Sequence, residues 1–340
     1  MTRLTKLAIA VAALCAAIAP PAAAKPTPTG STAPAQVFFP NPVQTLRNET
    51  LTDQKDANYA ALWAAYRRVT LTNLDGSGTL TGTYAKVESE TGTPARNTGS
   101  GFVYTRDQDQ FEQTMGYYWV TQAQRYIQSL GFGSTLPAVN KRQQLLRINQ
   151  FGGDNSFYRN GTKKLTITFG KGGVDDAEDA EVIVHEYGHS VQDDQVPGFG
   201  STLEAGSIGE AFGDYLAVTV SSAVTKDTSF DEPCVADWDS VSYTRGPSHC
   251  LRRLDGTKHY PEDVEGEVHA DGEMWSAALW RARKLIGNTT LTDKVIIAAQ
   301  FGFTPDISFR AAANQTIATA ARYGVANQFR QAFTERGFLG

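Results

Sequence analysis

His185, Glu186 and His189 form H-E-x-x-H within the stretch EDAEVIVHEYGHSVQDDQVPGFGSTLEAGSIGEAFGDY, Glu178 to Tyr215, and a second acidic pair, Glu210 with Asp214, follows a turn containing Gly and Pro. On a helix, a spacing of four puts both imidazoles on one face, one turn apart, within reach of a single metal ion. Neutral imidazoles suit zinc. Three protein ligands leave one position for water, whose acidity the metal raises towards neutrality. Glu186, beside the ligands, is the group to take that water's proton. The competing reading is an accidental match on a solvated helix. With only 5 His in 340 residues such a match is rare, and Val182, Ile183 and Val184 give the segment an apolar half that a surface helix lacks.

The elements that must hold this chemistry follow from the same stretch. A helix over 178–193 presents the two histidines. After the Pro197–Gly198 turn, G-E-A-F-G-D-Y-L-A-V reads as a second helix with Glu210 and Asp214 one turn apart. Glu204 and Glu210 are both candidates for the third ligand. Glu210 is favoured because Asp214, on its face, can accept the distal N–H of a ligand histidine, the outer carboxylate such sites usually have. Glu204 has no such companion and reads as a capping or loop acid.

H-E-Y-G-H followed by E-A-G-S-I-G-E-A-F-G-D resembles the gluzincin metallopeptidases. Gly209, rather than Asn, precedes the acid, so the pattern is closer to the fungalysin family than to thermolysin. D-N-S-F-Y at Asp154 to Tyr158, G-G-V-D-D-A-E-D-A at Gly172 to Ala180 and V-H-A-D-G-E-M-W at Val268 to Trp275 fit the family in order. The resemblance, over roughly residues 40–335, implies an α+β, thermolysin-like two-lobe zincin with one catalytic Zn2+ ion and a peptide or protein substrate. It also implies that Asn155 and Ser156 sit on a substrate-binding edge strand, that His269 faces the metal across the scissile carbonyl, and that Arg252 or Arg253 holds a substrate carbonyl. Arg252 is the choice. Two departures stand out. Phe199, Gly200 and Ser201 occupy the region where thermolysin-type enzymes carry an oxyanion-binding Tyr, and only about twenty residues separate the expected signal from the catalytic region, too few for the family's long propeptide.

Residues 1–24 combine Arg3 and Lys6 with an apolar run and P-P-A-A-A, a secretory signal too short in its apolar part to span a membrane. The expected destination is extracellular or periplasmic, with no membrane attachment after signal removal. Cys234 and Cys250, sixteen apart in an exported chain, are then expected to form a disulfide. A net charge of −5 gives no reason to expect nucleic acid, and a monomer is the default. Calcium stays open but not evident, since Asp75 in D-G-S-G lacks the full run of acids and reads as turn chemistry.

Residues 25–40, rich in Pro, Thr and Ala, read as a flexible leader. An N-terminal lobe over 41–194 would include the zinc helix, and a helical C-terminal lobe would cover 195–340. Val69–Leu74 and Thr79–Tyr84 read as a hairpin around D-G-S-G. Gln108–Leu130 reads as an amphipathic helix, and 145–148, 156–159 and 164–169 as strands. Two other functions compete with an endopeptidase. An exopeptidase of the same clan needs groups that bind a free amino terminus, and no G-x-M-E-N-like motif is present. A non-catalytic binding protein predicts loss of the base, yet Glu186 is intact.

Overall fold

In chain order the elements are β1 (Ser31–Phe38), α1 (Pro42–Leu46), β2 (Tyr66–Leu74), β3 (Ala85–Val87), α2 (Asp109–Ser129), β4 (Gln144–Arg147), β5 (Ser156–Arg159), β6 (Thr166–Phe169), α3 (Ala180–Gln195), α4 (Leu203–Thr225), β7 (Cys234–Val235), β8 (Arg252–Arg253), α5 (Val268–Ile286), α6 (Thr289–Gln300), α7 (Phe309–Ala321) and α8 (Ala326–Glu335). These come from a computed structural model that describes residues 30–159, 165–244 and 249–339. The signal expected over residues 1–24 lies outside the described residues.

The leader expected to be flexible is folded from residue 31. β1 runs antiparallel to β2, pairing Pro34 with Thr70 and Phe38 with Tyr66. The physical reason is a period of two: Ala33, Ala35 and Val37 point inward and are buried. Phe38 closes the strand edge-on to Phe111 of α2 at 4.8 Å. β2 therefore pairs mainly with β1, and the hairpin expected between 69–74 and 79–84 is reduced to isolated bridges such as Leu74 to Gly82. The D-G-S-G turn itself forms, with the Asp75 carboxylate accepting the Ser77 N–H at 2.8 Å.

The second sheet has the order β3-β4-β6-β5, with β5 antiparallel to β6 on its edge. α2 supplies the hydrophobic face beneath: Phe111, Met115, Trp119, Val120 and Ile127 are fully buried at helical spacing. This core continues without interruption through α3 and α4 into α5–α8, where Trp275, Phe309, Phe333 and Phe338 pack together. α3 thus packs against α2 and β5 on the strand side and against α4 on the helical side, while the short β7 and β8 sit by α4 and α5.

Each end of α3 has a stated cause. The Asp179 side chain caps its start by accepting the Glu181 N–H at 2.9 Å. Pro197 and Gly198, with φ of +79°, end it. Just before this cap, Glu178 is fully buried and receives Arg106 Nε at 2.8 and 3.0 Å and the Trp238 indole N–H at 2.9 Å. Arg106 also bonds Asp53 and lies over the Trp238 ring at 5.2 Å. One buried cation therefore ties the approach to α3 to the chain around residue 53.

Candidate active site

The two histidines meet Glu210 because α3 and α4 approach through glycine. A Cβ added to Gly188 would stand 2.9 Å from the Gly213 Cα, and one added to Gly213 would stand 2.7 Å from His185 Nδ1. With hydrogens there instead, the His185 and His189 rings lie edge to face, their centroids 4.9 Å apart. His185 Nε2 is 3.1 Å from one Glu210 oxygen and His189 Nε2 3.5 Å from the other. One ligand atom from each of the three residues lies within 4.8 Å of the others. Two imidazoles and a carboxylate, with each Glu210 oxygen facing an imidazole nitrogen, make a donor set suited to zinc, so the residues present fit the ion.

Charge in this cluster is finely divided. Burial alone would lower the His185 pKa, but hydrogen bonds to Asp214 and Glu210 lift it to about 10. Burial brings His189 down to about 4, against the pull of Glu210. Burial would raise Glu210, yet His189 and His185 hold it well below the usual carboxylate range. The two histidines thus take unequal shares of positive charge beside a single carboxylate.

Asp214 lies one turn beyond Glu210 on α4. Its Oδ1 is 2.8 Å from His185 Nδ1. Arg252 Nε and Nη2 donate to its two oxygens, each at 2.7 Å. Burial would raise Asp214, but Arg252 holds it ionised, well below its ordinary value. Arg252, expected to hold a substrate carbonyl, spends these two donors on Asp214. Nε2 of His185 is thereby the nitrogen left to face Glu210. Asp214→Asn is expected to weaken zinc binding by about 10–100-fold, read by titration against a competing chelator.

Glu186 projects from α3 into the same cleft. Burial raises it to about 7, with His185 opposing, and the Tyr158 backbone on β5 donates a hydrogen bond to its carboxylate. Its Oε2 is buried with no protein partner. Asn155, Ser156 and Tyr158 line this cleft of about 440 Å³ beside His185, Glu186 and His189. Ser156 donates to Asp176, and Tyr158 Oη donates to Asp193 of α3 at 2.8 Å. His269 opens α5, where Glu267 caps the helix by accepting the His269 and Ala270 N–H groups. The same Glu267 meets His269 Nδ1 at 2.6 Å, leaving Nε2 3.3 Å from Glu210 in the cleft.

Glu204 stands away from the histidines, where its carboxylate accepts the Phe309 N–H at 2.6 Å, at the start of α7. Cys234 and Cys250 form a disulfide. Arg253, the alternative to Arg252, faces Asp231 and Asp255. Sequence reasoning left three residues without a role here: Glu267, Asp176 and Asp239. Asp176 lay within the quoted G-G-V-D-D-A-E-D-A run, so its signal was present as an acid just before the zinc helix. Asp239, sixty-three residues on, carried none.

Residues 168–318 match the profile of the fungalysin metallopeptidase family (M36). The fold is similar to that of the precursor of protealysin, a metalloproteinase from Serratia proteamaculans, at a TM-score of 0.59 and 15% identity over 75% of this chain and 86% of that one. No curated protein matches the chain. The matched segment contains α3, Glu210 and His269, so the part of the chain that carries the two histidines and their carboxylate is similar to the fungalysin metallopeptidases.

Proposed function

We propose that this chain is an exported endopeptidase in which His185, His189 and Glu210 hold the zinc and Glu186 is the general base. The observation that carries the reading is the buried Glu186 Oε2, which has no protein partner and stands in the cleft next to the three-ligand cluster. Bound there, zinc would supply a Lewis acid and lower the pKa of water. Glu186, held by the Tyr158 N–H, accepts the proton of an attacking water and returns it to the leaving nitrogen. His269 Nε2, steadied through Glu267, reaches the cleft as a donor to the oxyanion. Asp214 fixes the tautomer of His185, and Arg252 keeps Asp214 ionised.

An extended peptide has an open strand edge at β5, beside α3, along the wall of the cleft that Asn155, Ser156 and Tyr158 line. That favours cutting within a chain. Export is supported by the disulfide, which belongs to an oxidising compartment, together with the signal-like residues 1–24. Among the described residues no helix is long and apolar enough to cross a membrane. End-blocked, internally quenched peptides are expected to be cut by the chain from about Lys25. Cleavage should cease with a zinc chelator and return with zinc. Cutting that survives exhaustive chelation, or that requires a free terminus, would defeat the reading.

A further inference from the structure

We propose that a pocket formed by Asp176 and Asp239 beside Glu186 receives a cationic side chain, Lys or Arg, from a residue flanking the scissile bond. The inference rests on the endopeptidase reading above and gives it a substrate class. The pocket opens from the cleft, for its wall includes His185, Glu186 and His269 together with Asp176 and Asp239. Both aspartates are almost entirely buried, 3% and 4% exposed, and each has an Oδ1 with no hydrogen-bond partner. Asp154 brings a third carboxylate oxygen, and one oxygen from each of the three lies within 4.8 Å of the others. Burying unpaired carboxylates is unfavourable unless something positive joins them. Burial pushes Asp176 up to about 8, against its bond from Ser156, and Asp239 well above the ordinary carboxylate range. Burial thus disfavours the charged form of both acids, and an ammonium or guanidinium placed between them favours it.

The rest of the wall decides between a side chain and a metal ion. Val182, Val235, Ala236 and Leu251 line the same pocket. Apolar groups suit the methylene stem of Lys or Arg, whereas calcium takes six to eight oxygens. Arg252, the one Lys or Arg among the described lining residues, is committed to both oxygens of Asp214 and leaves the aspartates unpaired. Tyr243, half exposed, stands at the rim.

The test is a library of end-blocked peptides cut by the zinc-loaded chain, with the products read by mass spectrometry. Lys and Arg should be enriched at one position next to the cut. The ratio of kcat/KM for a Lys peptide to that for its norleucine counterpart should fall about a hundredfold in the Asp176→Asn, Asp239→Asn double variant. A ratio within one protein does not move with the fraction folded. Apolar residues enriched at both flanking positions, or a ratio the double variant leaves unchanged, would overturn the proposal. So would calorimetric binding of calcium alone that displaces the Lys preference and disappears in the double variant. A second arm separates this from failure of the endopeptidase reading: zinc-loaded Glu186→Gln protein is titrated with the same two peptides. Tighter binding of the Lys peptide, by about tenfold, supports the pocket even if the native chain cuts nothing, and equal binding sinks it.

Discussion

Glu186→Gln is expected to lower kcat/KM for peptide cleavage by about a hundredfold to ten-thousandfold while zinc remains bound. Glutamine has the size of glutamate and keeps an oxygen to accept the Tyr158 N–H, so the cleft should hold its shape. It cannot take a proton from water. None of the three proposed ligands is altered, and metal content by mass spectrometry should stay near one zinc per chain. Native-like turnover by the variant would remove Glu186 from the mechanism. Loss of zinc with loss of turnover would show instead that Glu186 supports the metal site.

The second large effect concerns stability. Arg106→Met should destabilise the fold by about 3–5 kcal/mol, measured by urea unfolding at neutral pH. Arg106 is fully buried and bonds Glu178 through Nε at 2.8 and 3.0 Å, so its removal strands a carboxylate that no solvent reaches. The penalty is chiefly that of the stranded partner, which gives a control. Adding Glu178→Gln to Arg106→Met should restore a substantial part of the loss. If the two substitutions simply add, the charge pair is not what holds this segment. Because Glu178 immediately precedes the α3 cap, the single variant should also lose zinc at lower denaturant than the native chain does.

The candidate site was legible because it is local. His185, Glu186 and His189 share one helix, Glu210 and Asp214 share the next, and a repeat of 3.6 carries each set to one face. α2 was legible for the same reason, through its buried stripe of Phe111, Met115 and Ile127. What failed to show was long-range. β1 looked like a leader because its inward residues, Ala33 and Ala35, are too small to announce burial, and its partner β2 lies some thirty residues away behind a turn that suggested a different pairing. Arg252 was read as holding a substrate carbonyl, and its bonds to Asp214, a contact spanning 38 positions, are ones no spacing rule contains. Asp176 and Asp239 were ordinary acids in sequence. Their meaning comes from burial, which depends on the whole fold.

The disulfide between Cys234 and Cys250 closes a short loop, and the residues at its feet form the small β7–β8 pair. Val235, Ala236, Asp239 and Tyr243 lie within that loop, with Leu251 and Arg252 directly after it, and all of them line the acidic pocket. None of them is a proposed metal ligand. The proposed metal ligands and base thus sit on α3 and α4, apart from one covalently bounded cassette that lines the proposed side-chain pocket. Such a cassette can exchange residues, or be exchanged whole between relatives, and pass through many preferences without the lineage losing hydrolysis on the way.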